Sequence, residues 1–452
     1  MITFAYDRYD LKRKTVYPNL WNELLYNYAD TLDNDDIIHI VRKQYNLSTN
    51  HSELKGRFIN QYKYKFVVLK DMDTNSYDGE KLFYPIEIFG SHNYLVQLED
   101  KINEIGETYN TAFINVVSKE SVQLAKRSKL VYVINISHEP FSDKEFLYIL
   151  SSQIKQIGLK ESNFIIFGGS SNLLEMHPDL KNTGFNFCFE DNLLISSCKK
   201  IEDLKRESNT ILGYKSEYIE QSEILNKRNK HFVCPNRNSN KEHRFTLGCF
   251  FESKNLWDKM YASFLFKPFN AQFMQDLNPE LSESLKSAMD SFISKLPIQM
   301  DTELLSESER ESFESMRAFK KEIYLDSYIH IVTETNFKND IFPTEKIINP
   351  MVVLQPFILV GAPGYLKYIK SLGFKTFDGF IDESYDLEYN NELRFEKICN
   401  EIDRLSKLSL EEIHNWYISI IPILEYNRNF AIDFAKKPMF IENLKKHEYY
   451  AI

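Results

Sequence analysis

Glycine is scarce in this chain, 14 in 452 residues, against an average near 7%. No GxGxxG fingerprint and no Walker loop occurs, so any phosphate site must be built from other elements. Cysteine is equally sparse: Cys188, Cys198, Cys234, Cys249 and Cys399 are an odd number, and none stands in a CxxC pair. That argues against a zinc ribbon, a redox dithiol or a secreted disulfide scaffold. Long apolar runs are missing too. The longest, Met351 to Val360, is broken by Gln355 and Pro356 and is too short to span a bilayer. Near the amino terminus Asp7, Arg8 and Asp10 interrupt any signal-peptide core, so the expected localisation is cytoplasmic. Excess positive charge is absent: 55 Lys+Arg against 65 Asp+Glu gives a formal charge of −10. The total favours neither nucleic acid nor anionic lipid as a partner. No repeat of solenoid length occurs.

What is present is aromatic and alternating. The chain holds 34 Phe and 27 Tyr. Helical stripes at Leu20–Tyr28 and Asp36–Tyr45 precede a change of pattern at Lys65. Phe66–Leu69, Ile86–Phe89, Ala112–Val117, Leu130–Ile134 and Phe164–Phe167 then read as strands, with helices at Tyr94–Ile105, Lys119–Lys126 and Lys144–Ile157 between them. Such alternation predicts βαβ units around a mostly parallel sheet. After a charged boundary at about 199–230 it resumes: strand His231–Cys234, helix Lys241–Phe251, strand Tyr328–Val332 and strand Phe357–Val360. Pro363 opens and Gly373 closes the helix Tyr365–Leu372. A helix with Phe395, Ile398, Ile402 and Leu405 on one face follows, and Ser409 and Glu412 form a capping box for the last one. The polar stretch 278–319 reads as an exposed helical insertion. The expected domains are 1–228, 229–408 and carboxy-terminal helices, 409–452, that brace the first half.

Four groups of residues are placed for chemistry. Arg237 and Arg244 follow the first strand of the second half, where two guanidiniums and a helix N-terminus would suit a phosphate; two surface arginines are the bland account. Glu345 and Lys346, behind Thr344, suit a ribose and a phosphate, or equally an ordinary N-capped helix start. Gly361 and Gly364 form a strand-turn-helix junction of the kind that binds phosphorylated ligands in open α/β sheets. His138 and Glu139 follow the buried strand of the first half, where a general base belongs. The acidic segment Asp378–Asp386 lacks histidines and calcium-loop spacing, so no metal set is expected.

Taken with Gln355–Gly361 and with Asn236-Arg237 through His243-Arg244, the string Thr344-Glu345-Lys346 resembles the donor-binding domain of glycosyltransferases with two facing Rossmann domains, the GT-B fold. Within that class it resembles most the fucosyltransferases carrying a Val-Thr-Glu-Lys type motif. The segment Phe232–Leu405, with Gly373-Phe374 and Asp382–Asp386, is similar to glycosyltransferase-like proteins of phages and large viruses. The resemblance implies two Rossmann-like domains across a cleft and metal-independent transfer from a nucleoside-diphosphate sugar, the co-substrate, to the hydroxyl of a glycan, protein or other acceptor. It passes the diphosphate to Arg244 and Lys346 and the ribose to Glu345. In the family the valine and threonine run directly into the motif, whereas here Val332-Thr333-Glu334 stands apart from it; either Glu334 or Glu345 is open as the functional carboxylate. Two other classes stand beside this one: a catalytically silent scaffold or virion-associated interaction protein, and a transferase acting on modified DNA bases.

Overall fold

The computed structural model describes residues 2–6, 64–69, 72–87, 117–136, 144–189, 194–195, 197–198, 201, 219–236, 241–265, 272–300 and 321–435. The helices expected at Leu20–Tyr28, Asp36–Tyr45 and Tyr94–Ile105, and nearly all of the strand at Ala112–Val117, lie outside the described residues. The chain divides into two compact units, residues 1–190 with 438–452 and residues 191–437. Both are Rossmann-like α/β units built on a wholly parallel sheet, as the alternating pattern predicts.

Unit 1 holds six described strands: β1 (Ile2–Tyr6), β2 (Tyr64–Val68), β3 (Leu82–Glu87), β4 (Leu130–Ile136), β5 (Phe164–Gly168) and β6 (Asn186–Phe189), in the order β2-β1-β3-β4-β5-β6. Every pairing is parallel. β5 is buried along its whole length, which is why it reads as an unbroken apolar run rather than an alternation. Among the described residues, the longer helices between its strands are α1 (Lys119–Lys126) and α2 (Lys144–Gln156). Ser118 caps α1 by accepting the Ser121 N–H at 3.1 Å. Leu147, Leu150 and Ile154 turn the apolar face of α2 into the core with Tyr84, Tyr132 and Phe164. Inside it, the Tyr132 hydroxyl shares a hydrogen bond of 2.9 Å with Ser121 Oγ, so its polar end is not stranded.

Unit 2 carries β7 (Lys230–Cys234), β8 (Met260–Ala262), β9 (Ser327–Thr333) and β10 (Phe357–Val360), in the order β10-β9-β7-β8 and again all parallel. In chain order this is the arrangement of the first four strands of unit 1. The connection turns back between β7 and β9, so a topological switch point opens at their carboxyl ends. Around the sheet lie α3 (Glu242–Ser253), α4 (Pro279–Lys295), α5 (Glu345–Val352), α6 (Tyr365–Leu372), α7 (Asn391–Ser406) and α8 (Leu410–Phe434).

Two boundaries and one exposure differ from the sequence expectation. Residues 219–225 belong to unit 2 because Ile219 and Ile224 are buried and Arg428 of α8 donates to the Ile219 carbonyl at 2.7 Å. The described helix of the carboxy-terminal region, α8, packs on β7, β9 and α5 of its own unit. There Tyr417 donates to the Leu354 carbonyl and stacks under the buried Arg228 guanidinium. Finally, α4 is packed rather than exposed. It buries Leu285, Ala288 and Phe292, and Phe292 reaches Phe245, Trp257 and Phe264; residues 301–320 of the expected insertion lie outside the described residues. The Phe292 ring lies over Gly248, where a Cβ would come within 2.2 Å of its Cζ. Gly248→Ala should therefore cost about 1–3 kcal/mol of stability by overpacking, despite the better helix propensity of alanine. A chemical melt showing the variant as stable as the parent would mean that α4 shifts without cost.

Candidate functional site

The switch point of unit 2 is bounded by three segments: Asn236 beyond β7, the loop Glu334–Pro343 beyond β9, and the turn Gly361–Gly364 beyond β10. Across its centre, the Thr333 hydroxyl donates to Asn236 Oδ1 at 3.1 Å, with both residues buried. A pocket of about 390 Å³ opens here, lined by the start of α3 (Lys241, Glu242, His243), by Phe273, and by Thr335 to Asp340. Lys241 occupies the N-cap of α3 and makes no side-chain cap bond. The positive end of a twelve-residue helix thus begins at the pocket without a side-chain cap. Lys338 pairs with Glu242 at 3.0 Å on the rim.

Behind the pocket, Glu334 is 1% exposed and its carboxylate accepts two hydroxyl protons, from Thr344 at 2.7 Å and Tyr365 at 2.7 Å. Arg244 is buried, with Nη2 donating to the Thr333 carbonyl at 3.0 Å. Burial lowers its pKa, and the nearby Glu334 charge opposes that shift. Thr344 is the N-cap of α5, accepting the Lys346 N–H at 3.2 Å. The Lys346 ammonium reaches Thr344 Oγ1 at 3.1 Å, Glu345 Oε1 at 3.3 Å and Thr335 Oγ1 at 3.4 Å. The cap bond and the cation share the Thr344 hydroxyl.

His243 donates Nε2–H to the Glu334 carbonyl at 3.0 Å and stacks on Phe337. Burial, reinforced by Arg244, pushes its pKa down to about 3, so it is a neutral wall at pH 7. Phe337 is also held by Arg394, 1% exposed, whose guanidinium lies 4.4 Å from the ring centroid. Arg394 also donates to the carbonyls of Phe337, Gly361 and Glu388. It joins the loops beyond β9 and β10 to the start of α7.

Of the sequence candidates, Arg244, Glu334, Glu345 and Lys346 come together around Thr333 and Thr344, and Gly361 abuts them: a Cβ there would lie 3.6 Å from Glu334 Cβ. Gly364 takes φ +76° to open α6, but the Leu366 and Lys367 N–H groups of that helix are engaged by the Asp386 carboxylate at 2.8 and 3.0 Å. The acidic segment thus supplies the anion of this N-terminus itself. Arg237, His138 and Glu139 lie outside the described residues. Thr335 and Arg394 were not singled out in the sequence, and Asp386 was named only as the end of the acidic segment. Arg394 had a signal, since it shares the i, i+4, i+8 face of Ile398 and Ile402.

No protein-family model matches the chain, and no curated protein sequence matches it significantly. Among solved structures, the chain is similar to an α,α-trehalose-phosphate synthase (UDP-forming) from Burkholderia vietnamiensis, at 10% identity and a TM-score of 0.35, over 94% of this chain and 82% of that one. Among the described residues no helix is long and apolar enough to cross a membrane.

Proposed function

We propose that the chain is a metal-independent glycosyltransferase whose unit 2 binds a nucleoside-diphosphate sugar and whose unit 1 binds the acceptor. The observation that supports this most is the pocket at the β7/β9 switch point, the position at which open α/β sheets take phosphorylated ligands. Its wall carries Lys241 and the start of α3, with Lys338 paired to Glu242 on the rim, and the residues of the Thr-Glu-Lys string stand next to it. In this reading Lys346 neutralises charge that develops on the leaving diphosphate, while Arg244 counters Glu334 from inside the wall. Glu345, with its side chain 37% exposed, is the carboxylate assigned to the ribose, because both oxygens of Glu334 already accept hydroxyls. Glu139, with His138 as substitute, is the proposed base that takes the acceptor proton, and Arg237 supplements the phosphate charge. The exposed trio Leu387, Tyr389 and Leu393 favours the second reading, a binding protein that retains the fold without transfer.

Calorimetric titration of nucleoside diphosphates and nucleotide sugars, with and without magnesium, separates the two. One nucleotide should bind independently of magnesium, and Lys346→Ala should weaken it about tenfold or more by removing a charge-assisted bond, with little change in melting temperature. Silence across the whole panel would leave the binding-protein reading.

A further inference from the structure

Two interior strands of unit 1 each carry one out-of-place polar residue, and the sheet sets the two side by side. β3 reads Leu82-Phe83-Tyr84-Pro85-Ile86-Glu87 and β4 reads Leu130-Val131-Tyr132-Val133-Ile134-Asn135-Ile136, apolar or aromatic until Glu87 and Asn135 near their carboxyl ends. Glu87 stands in register with Asn135, and residues paired across neighbouring strands lie about 5 Å apart on one face. A carboxylate on an interior strand of a parallel sheet is costly to keep unless something there uses it. Glu87 also borders an opening. The β1–β3 ladder ends at Phe4 and Phe83, although β1 continues to Tyr6 and β3 to Glu87, and Pro85 has no N–H with which to extend it. The strand order β2-β1-β3-β4 makes this gap the switch point of unit 1. On the other side of β4, Gly168 of β5 pairs with Ile136 and the chain runs on into Gly169-Ser170-Ser171. The hydroxyls of Ser170 and Ser171 are buried, and among the described residues neither has a hydrogen-bond partner.

We propose that the carboxyl edge of β3, β4 and β5 is a binding site for a neutral polyol of the sugar class, with Glu87 and Asn135 taking neighbouring hydroxyls of the ligand and Ser170 and Ser171 as further partners. A carboxylate accepts hydroxyl protons, an amide both gives and takes, and so does a serine hydroxyl; a sugar, whose every hydroxyl gives and takes, matches that set. No lysine or arginine occurs in residues 82–87, 130–136 or 164–171 to receive an anion, and no second carboxylate or histidine stands there to complete a metal site. The site needs nothing from unit 2, so it holds for a transferase and for a binding protein alike. That its polyol is the acceptor of the transfer rests on the glycosyltransferase reading above. Glu87 is then a ligand-binding group, separate from the base assigned to Glu139.

Saturation-transfer NMR on the full chain, with glucose, galactose, mannose, xylose and N-acetylglucosamine at millimolar concentration beside glucosamine, tests this. At least one neutral sugar should bind the parent, and Glu87→Gln and Asn135→Leu should each weaken it about tenfold or more. Melting curves give a readout that needs no ligand. Glu87→Leu and Asn135→Leu should melt at or above the parent, because a group kept for binding is a liability to its strand. A fall of several degrees in both would make the pair structural and overturn the proposal. No binding of a neutral sugar by the parent, or equal binding by Glu87→Gln, overturns it as well. Binding of glucosamine alone would be an ion pair with Glu87 and would overturn the neutral-polyol assignment. Replacing Ser170 and Ser171 together by alanine should weaken the same sugar, and unchanged affinity removes the two serines from the site. Sugar binding with this pattern but no nucleotide binding removes the transferase reading and leaves the polyol site in place.

Discussion

Replacing Arg394 by leucine should lower the melting temperature by roughly 10 °C and abolish measurable ligand binding in unit 2. The guanidinium is 1% exposed and donates to three main-chain carbonyls, those of Phe337, Gly361 and Glu388, as well as to Asn391 Oδ1. Leucine would fill part of the volume and leave those carbonyls without a donor, each at a cost of about 1–3 kcal/mol where water cannot replace it. A loss of about 3–5 kcal/mol is the usual scale for removing one member of a buried charged network. It is a large share of a total stability of about 5–15 kcal/mol. Burial lowers the Arg394 pKa to about 10, which still leaves it protonated at pH 7, so its charge and its donors are lost together. Arg394→Lys should rescue little, since one ammonium cannot reproduce a planar fork aimed at separate loops. Binding suffers beyond stability because Phe337 forms the pocket wall and stacks on His243. A variant melting within about 2 °C of the parent would show that the three carbonyls are hydrated and that Arg394 does not hold the loops.

That residue also marks where the sequence stopped being readable. The parallel α/β character was legible because buried strands such as Phe164–Gly168 carry unbroken apolar runs and the segments between them repeat at helical spacing. Arg244, Glu334, Glu345 and Lys346 were each legible as residues at strand ends and helix starts, and the structure gathers them around Thr333 and Thr344. Their division of labour was not legible. Whether a glutamate is buried between two hydroxyls, as Glu334 is, or half-exposed, as Glu345 is, depends on Tyr365, which arrives from the far side of β10. The capping of α6 by Asp386 is likewise non-local. α4 looked exposed because serines and acids crowd its sequence, yet the stripe Leu285, Ala288 and Phe292 is enough once Gly248 leaves room for the ring. Arg394 was hidden by the opposite error, a charged residue on an apolar face that reads as an interruption until its carbonyl partners are known.

Stability should fall steeply on mild acidification, by about 5 kcal/mol between pH 6.5 and pH 4.5. The main cause is a pair of imidazoles, with His231, whose pKa burial also lowers, adding in the same direction. Burial pushes both His243 and His330 down from 6.5 to about 3, the first with Arg244 adding to the shift and the second with a hydrogen bond to Gln355 opposing it. Both folded-state values lie below the unfolded one, so between about pH 6.5 and pH 3 the unfolded chain holds two protons that the folded chain refuses. The stabilisation is complete above the unfolded pKa and is lost as pH falls through the window, at about 1.4 kcal/mol per pH unit for each histidine. Carboxylates with lowered pKa values, such as Glu252 and Asp382, add their losses only at lower pH. Urea melts at half-unit steps should therefore show a slope of at least about two protons, and His330→Phe should remove about one of them. Protonation of His243 would also place a cation beside Arg244 and against the wall of the pocket, so ligand affinity should weaken over the same window. A flat stability profile down to pH 4.5 would mean that water reaches both rings, and the pocket wall would then be open at His243 rather than sealed.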